Sequence, residues 1–287
     1  MTLAREFGGE IVSCDSLQVF RGFDVGSAKP ALAERDLVPH HLLDVADPED
    51  VYSAADYARD ARVALAEIRA RGRVPVVAGG SGLYLRALFE GLFPGPSRDQ
   101  AFRNRLERIL GRSGGTARLG RLLARVDPES ARRIKGGDRV RLIRALEVYW
   151  KTGRSLTEHQ TGARGLRLTG FAPLVLGIQL PRDVLLERVR ARTAAMLAGG
   201  LLQETAALLA RPQGARLPPL RSIGYRQAVE VLAGKLDPLA GERAIVAETM
   251  RYAKRQMTWF RNQPPRPEWH TTQEALLARA RGFLESR

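Results

Sequence analysis

Val74-Pro75-Val76-Val77-Ala78-Gly79-Gly80-Ser81-Gly82 is a continuous apolar run closed by a glycine-rich turn, the pattern of a strand that feeds a helix. Upstream of it, residues 53–71 place Tyr57, Ala61, Ala64, Leu65 and Ile68 at the spacing of one helical face. Ser53 and Asp56 are set as a capping box at the start of that helix, and Gly72 ends it. Downstream, residues 83–92 read as another helix, and nearer the N-terminus Ile11-Val12-Ser13-Cys14 reads as a short buried strand. Strand, helix, strand, glycine-rich turn and helix in that order predict a parallel sheet with crossover helices. In open α/β sheets ligands bind outside the carboxyl ends of the strands, so Asp15 lies where chemistry is usually done. A carboxylate there serves acid–base catalysis or caps the following turn.

A third strand is expected at residues 174–180. Between it and the first two, the pattern changes at Pro94-Gly95-Pro96. From residue 97 to about 164 the signals are helical, with charged faces and no strand. This predicts an α/β core of residues 1–96 and 169–287, interrupted by a helical insertion at 97–168. Long helices are expected again at 183–197, 201–210 and 242–261, followed by a short tail with Pro264 and Pro265. Leu3 and Phe7 stand four apart ahead of Gly8-Gly9, so residues 2–7 read as the end of a helix.

With 287 residues the chain can hold one large or two modest domains. Its hydrophobic fraction is 44%, yet no apolar run approaches the roughly 18 residues of a membrane span, and the N-terminus lacks the apolar stretch of a secretory signal. A soluble cytoplasmic protein is expected. Cys14 is the only cysteine, which excludes a disulfide within the chain; with four histidines, a zinc site is not expected either. The balance of 46 basic to 31 acidic residues, a net charge of +15, favours a polyanionic partner, although solvated arginine-rich faces produce the same balance.

Several blocks share the order and spacing of one family. These are Asp15-Ser16-Leu17-Gln18, Asp24-Val25-Gly26-Ser27-Ala28-Lys29-Pro30, His40-His41-Leu42-Leu43-Asp44, Tyr52-Ser53-Ala54-Ala55-Asp56 and Gly79-Gly80-Ser81-Gly82-Leu83-Tyr84. Later come residues 138–147, Ser222-Ile223-Gly224-Tyr225-Arg226-Gln227, and Arg251-Tyr252-Ala253-Lys254-Arg255-Gln256-Met257-Thr258-Trp259-Phe260-Arg261. Over about residues 2–262 the chain resembles the tRNA dimethylallyltransferase (tRNA isopentenyltransferase) family. The resemblance implies an α/β, P-loop NTPase-like parallel-sheet core with a helical insertion domain. It also implies transfer of a dimethylallyl group from dimethylallyl diphosphate to the N6 amine of the adenosine 3′ to the anticodon in tRNA.

On that resemblance Asp15 is the base that receives the amine proton, and Arg192 assists catalysis and meets the diphosphate. Arg188, four residues earlier on the same helical face, joins it. An adenine amine is a weak nucleophile, so the protein must hold it and remove its proton, and the departing diphosphate needs cations or amide donors. The tRNA contacts implied are Asp15, Ser16, Leu17, Gln18, Ser81, Arg103, Arg139, Arg141, Arg144, Arg221, Gly224, Tyr225, Arg226, Lys254, Arg255 and Arg261. Most family members carry threonine where Ser81 stands, so the hydroxyl is kept. In the C-terminal helix the basic and aromatic residues suit phosphates and unstacked bases, or pack inward as core. Glu147 is placed to pair with Arg144. The partners implied are the tRNA anticodon stem-loop and dimethylallyl diphosphate, with no membrane, and the protein is expected to be a monomer.

The family also implies Mg2+ and a G-x-x-x-x-G-K-[ST] loop ahead of Asp15, and no such sequence occurs in these residues. Met1-Thr2-Leu3-Ala4 aligns within the helix after that loop. Roughly 15 to 25 residues are therefore expected to be missing, and with them the amide cradle, its lysine and the hydroxyl ligand of the metal, as a misplaced start codon would cause. Two rival readings stand beside the enzyme: a noncatalytic tRNA-binding remnant, and a small-molecule kinase, which would need the same loop.

Overall fold

The computed structural model describes all residues except 94, 97, 136, 163–166 and 287. The chain divides into two compact units, residues 1–89 with 169–287, and residues 90–168. Residues 94 and 97, where the sequence reading breaks the core and starts the insertion, and residues 163–166 near its end lie outside the described residues.

In the first unit the chain passes through α1 (Thr2–Glu6), β1 (Gly9–Cys14), α2 (Leu32–Leu37), β2 (His40–His41), α3 (Ala54–Ala70), β3 (Val74–Gly79) and α4 (Gly82–Glu90). β1 lies between β2 and β3, both parallel to it. All of β1 is buried, Glu10 and Ser13 included, as expected for the middle strand of a parallel sheet. α3 starts as the capping box predicts: the Asp56 amide donates to Ser53 Oγ at 3.3 Å, and the Ser53 amide to Asp56 Oδ2 at 3.0 Å. Its buried face carries Tyr57, Ala61, Ala64, Leu65 and Ile68. The charged residue inside β1, Glu10, is held by Arg71 Nη2 and His41 Nε2, each at 2.7 Å. The Arg71 hydrogen bond, aided by His41 and opposed by burial, brings its carboxyl down to about 2.

The second unit contains α5 (Gln100–Leu110), α6 (Gly115–Val126), α7 (Pro128–Arg133), α8 (Arg139–Thr152) and α9 (Leu156–Gly162). Leu106, Leu110, Leu119, Leu123, Leu142, Ile143 and Leu146 form its core. Asp99 caps α5 and Asp138 caps α8, the latter ending at Gly153 in the left-handed region. Glu147, fully buried, accepts from Arg103 Nε at 2.8 Å and Nη2 at 2.7 Å, from Arg144 Nη1 at 2.7 Å and from the Asp99 amide at 2.8 Å. Burial raises its carboxyl, but these donors outweigh burial and bring it down to about 2.

The first unit resumes with β4 (Leu176–Ile178), α10 (Arg182–Ala198), α11 (Leu201–Leu209), two 3₁₀ turns, α12 (Tyr225–Leu232), α13 (Pro238–Asn262), β5 (Glu268–His270) and α14 (Gln273–Glu285). The expected third strand forms as β4, but it pairs in parallel with β5 in a separate two-stranded sheet. The tail after Pro265 is structured, as β5 and α14. Strands of two or three residues, such as β2 and β5, are too short to show an alternating period, so only their partners reveal them. Among the described residues no helix is long and apolar enough to cross a membrane.

Candidate active site

β1 and β3 run in register, with Cys14 opposite Gly79, so their carboxyl ends lie side by side. Gly79 is required there because a Cβ would strike the Cys14 backbone. The two following loops are stitched together: the Ser81 amide donates to Cys14 O at 3.2 Å, and the Ser16 amide to Ser81 Oγ at 3.1 Å. Asp15 Oδ1 accepts the amides of Leu17 at 2.8 Å and Gln18 at 3.3 Å, so it caps the following turn, as a carboxylate at this position can. Its second oxygen has no hydrogen-bond partner among the described residues. Asp15 therefore holds its own turn with one oxygen and leaves the other for a donor.

Gln18 extends the junction toward residues 24–30. Its Oε1 accepts from Ser13 Oγ at 3.0 Å, while its Nε2 donates to the carbonyls of Ser27 and Ala28, both at 3.3 Å. Arg192 Nη2, from α10, donates to the same Ser27 carbonyl at 3.3 Å. Arg192 is thereby brought to the Asp15 turn although 177 positions separate them in the chain. Arg188, one turn earlier on α10, is exposed. The fixed geometry of residues 24–30 has two further causes. Lys29 Nζ, nearly fully buried, reaches Phe20 O at 2.9 Å, Asp24 at 2.5 Å and Asp44 at 2.6 Å. Glu204 accepts the amides of Asp24 at 2.9 Å, Val25 at 2.8 Å and Gly26 at 3.2 Å.

A cavity of about 440 Å³ opens at this junction, lined by Ser16, Tyr52, Ser81, Tyr84 and, from α13, Tyr252. Gln256 Nε2 donates to Gly80 O at 3.0 Å and ties α13 to the glycine-rich turn. Burial pushes the phenols of Tyr52, Tyr84 and Tyr252 up, and the Asp15 charge adds to the rise at Tyr84 and Tyr252. Burial likewise pushes the Cys14 thiol up to about 12, which leaves it inert beside the site. Lys254 and Arg261 line a second groove of about 1200 Å³ that also takes in Arg190, Arg251, Met250 and Met257.

The structure thus gathers Asp15, Ser16, Leu17, Gln18, Ser81 and Arg192 and sets α13 beside them through Tyr252 and Gln256, with Arg255 over the Tyr252 ring and Lys254 in the second groove. It removes others from the surface. Tyr225 is fully buried, its ring 4.8 Å from that of Phe23 and its hydroxyl donated to Glu204 at 2.5 Å, so it presents nothing to RNA. Gly224 is buried as the N-cap of α12 at φ +94°, a backbone role. Arg103 is spent on Glu147, and Arg144 divides itself between Glu147 and Pro96 O at 3.1 Å. Arg226 pairs with Glu248, whereas Arg221, Arg139 and Arg141 are exposed, Arg141 with Asp138 as a neighbour at 3.3 Å. Sequence reasoning missed Lys29 as a hub, Glu204 as the cap of residues 24–26 and the tyrosine-lined cavity. Glu204 carries no local signal as a cap, because the three amides it accepts lie about 180 positions away.

Carboxylate, hydroxyl and guanidinium collected at the carboxyl end of a parallel sheet, with a helical unit inserted in the chain, place this protein in the P-loop-like α/β class. The full-length tRNA isopentenylpyrophosphate transferase of Bacillus halodurans shares the fold with a TM-score of 0.69 and 32% identity, over 99% of this chain and 90% of that one. The family model described as IPP transferase matches residues 18–263. Proteins called tRNA dimethylallyltransferase from Solibacter usitatus (strain Ellin6076) and Koribacter versatilis (strain Ellin345) are 46% and 47% identical over 264 residues, covering 92% of this chain and 85% of each of theirs. The chain belongs to the IPP transferase family and is a transferase.

Proposed function

We propose that this protein transfers a dimethylallyl group from dimethylallyl diphosphate to the N6 amine of the adenosine 3′ to the anticodon of tRNA. The observation that carries the reading is Asp15 at the β1–β3 junction, one carboxylate oxygen fixed in its turn and the other without a donor among the described residues, beside a cavity of about 440 Å³. In the reaction the amine nitrogen bonds to the allylic carbon, the bond from that carbon to diphosphate oxygen breaks, and the nitrogen's proton passes to Asp15. Arg192, with Arg188 one turn away, stabilises the departing diphosphate. Ser16, Leu17, Gln18 and Ser81 hold the nucleotide, and Lys254, Arg255, Arg261, Arg221, Arg139 and Arg141 meet tRNA phosphates, in keeping with the net charge of +15. The protein acts as a monomer on an anticodon stem-loop.

Among the described residues no group of three His, Cys, Asp or Glu can hold a metal ion, and the G-x-x-x-x-G-K-[ST] loop is absent from these 287 residues. The same absence favours a second reading for these residues taken alone, binding of tRNA without transfer. Mass spectrometry of tRNA after incubation with dimethylallyl diphosphate separates the two. Residues 1–287 should bind the anticodon stem-loop and leave it unmodified, and the same residues preceded by a family phosphate loop should add the prenyl mass. Efficient modification by residues 1–287 alone would make the loop dispensable, and failure of both polypeptides would remove the proposed activity.

A further inference from the structure

The three tyrosines around the cavity are not equivalent. Tyr84 is stacked on Tyr57 with ring centroids 4.3 Å apart and planes 15° from parallel. Tyr52 stands edge-on to Tyr84 at 6.4 Å and donates its hydroxyl to Asp60 at 2.9 Å. Both rings are thus committed to protein partners. Tyr252 is 39% exposed and stacks on no other ring among the described residues. Among the described residues its one ring contact is the Arg255 guanidinium, 5.6 Å from the centroid. The helix beneath it is held in place, since Gln256, one turn on, is bonded to Gly80 O. Asp15 is close enough for its charge to act on the phenol.

We infer that Tyr252 is the stacking platform for the target adenine, which lies on its ring with the exocyclic amine turned to the free oxygen of Asp15. The inference rests on the function proposed above and adds to it a positioning residue. A base taken out of its own stack loses its neighbours, and an aromatic face repays part of that loss whatever the base's hydrogen bonds. A nucleophile as weak as an adenine amine gains most from being held in one plane against its electrophile. An aliphatic prenyl chain would gain little from an open phenol face backed by a cation. The base is the better occupant.

The test measures binding of residues 1–287 to an anticodon stem-loop RNA and to the same RNA lacking the base at the target position. Wild-type protein should prefer the intact RNA by roughly tenfold. Tyr252→Leu should lose that preference while keeping its affinity for the abasic RNA. Tyr252→Phe and Tyr252→Trp should retain the preference, which also controls for folding. With 2-aminopurine at the target position, binding should quench its fluorescence for wild type, Phe and Trp but not for Leu. Equal weakening of both RNAs by Tyr252→Leu, or quenching that survives in it, overturns the stacking role and leaves the function standing. If the wild-type chain binds neither RNA, the function reading falls and the platform falls with it.

Discussion

The two carboxylate oxygens of Asp15 stand in different surroundings, and that asymmetry separates its structural from its chemical contribution. Asparagine keeps an oxygen to accept the Leu17 and Gln18 amides but cannot take a proton. In a polypeptide that carries a phosphate loop ahead of these residues, Asp15→Asn should lower the single-turnover prenylation rate by at least ~100-fold. Its tRNA affinity should stay within a few fold, read by mass spectrometry and by filter binding respectively. A near-normal rate would remove Asp15 as the base. Arg192→Gln in the same polypeptide should weaken dimethylallyl diphosphate binding more than tRNA binding, because its guanidinium reaches the site while the rest of α10 keeps its packing. Equal loss of both ligands would mean structural damage. Tyr225 shows the opposite fate of a motif residue: its place in the motif suggests RNA, but the partners that decide its role, Phe23 near the N-terminus and Glu204 on the preceding helix, lie outside the motif.

At the level of elements, what the local pattern could reveal depended on length. α3, α10 and α13 run long enough for a 3.6-residue period, and the capping box of α3 is read directly from Ser53 and Asp56. Residues 24–30 have no period. Their form is imposed by α11 and α12, through Glu204 on three amides and Tyr225 against Gly26. A Cβ at Gly26 would sit 2.5 Å from the Tyr225 ring and 2.8 Å from Leu201 Cδ1. Gly26→Ala should therefore cost about 1–3 kcal/mol in urea denaturation by overpacking. In the helical unit, Glu147→Gln takes the charge from under Arg103 and Arg144. It should cost about 3–5 kcal/mol there, because two guanidinium groups lose their buried counter-ion.

For the molecule as a whole, Glu10 and Glu147 lead a set of carboxylates, with Asp44, Asp56, Asp127 and Glu248, that are held below their ordinary range and set the acid limit. Glu10 and Glu147 each ordinarily titrate at 4.5 and are held down to about 2 in the folded chain, so each contributes stability that is fully present above 4.5 and is lost as pH falls toward 2. Melting temperatures should be level above pH 5, fall steeply between about 4.5 and 2, and fall less steeply in Glu147→Gln. An unchanged acid limb in that variant would show that Glu147 does not carry it. The net charge of +15 makes RNA binding a counterion-release process, so affinity for the anticodon stem-loop should drop linearly on a log–log plot against salt.

The sequence by itself determined the class of fold, the parallel pairing implied by strand, helix, strand and glycine-rich turn, the place of Asp15 at a strand end, and the family. Those are local patterns, or spacings along the chain, and they survive without knowledge of what touches what. Only the tertiary structure decided which charges remain available. Arg103 comes from another helix to the Glu147 that the spacing already gave to Arg144, Lys29 disappears among Phe20, Asp24 and Asp44, and Tyr225 goes inward, while Arg192 and Tyr252 arrive beside the Asp15 turn from far along the chain. An arginine or tyrosine reads the same in sequence whether solvent, RNA or a buried carboxylate awaits it. Its role follows from desolvation and from partners far away in the chain, which come together only when the chain folds.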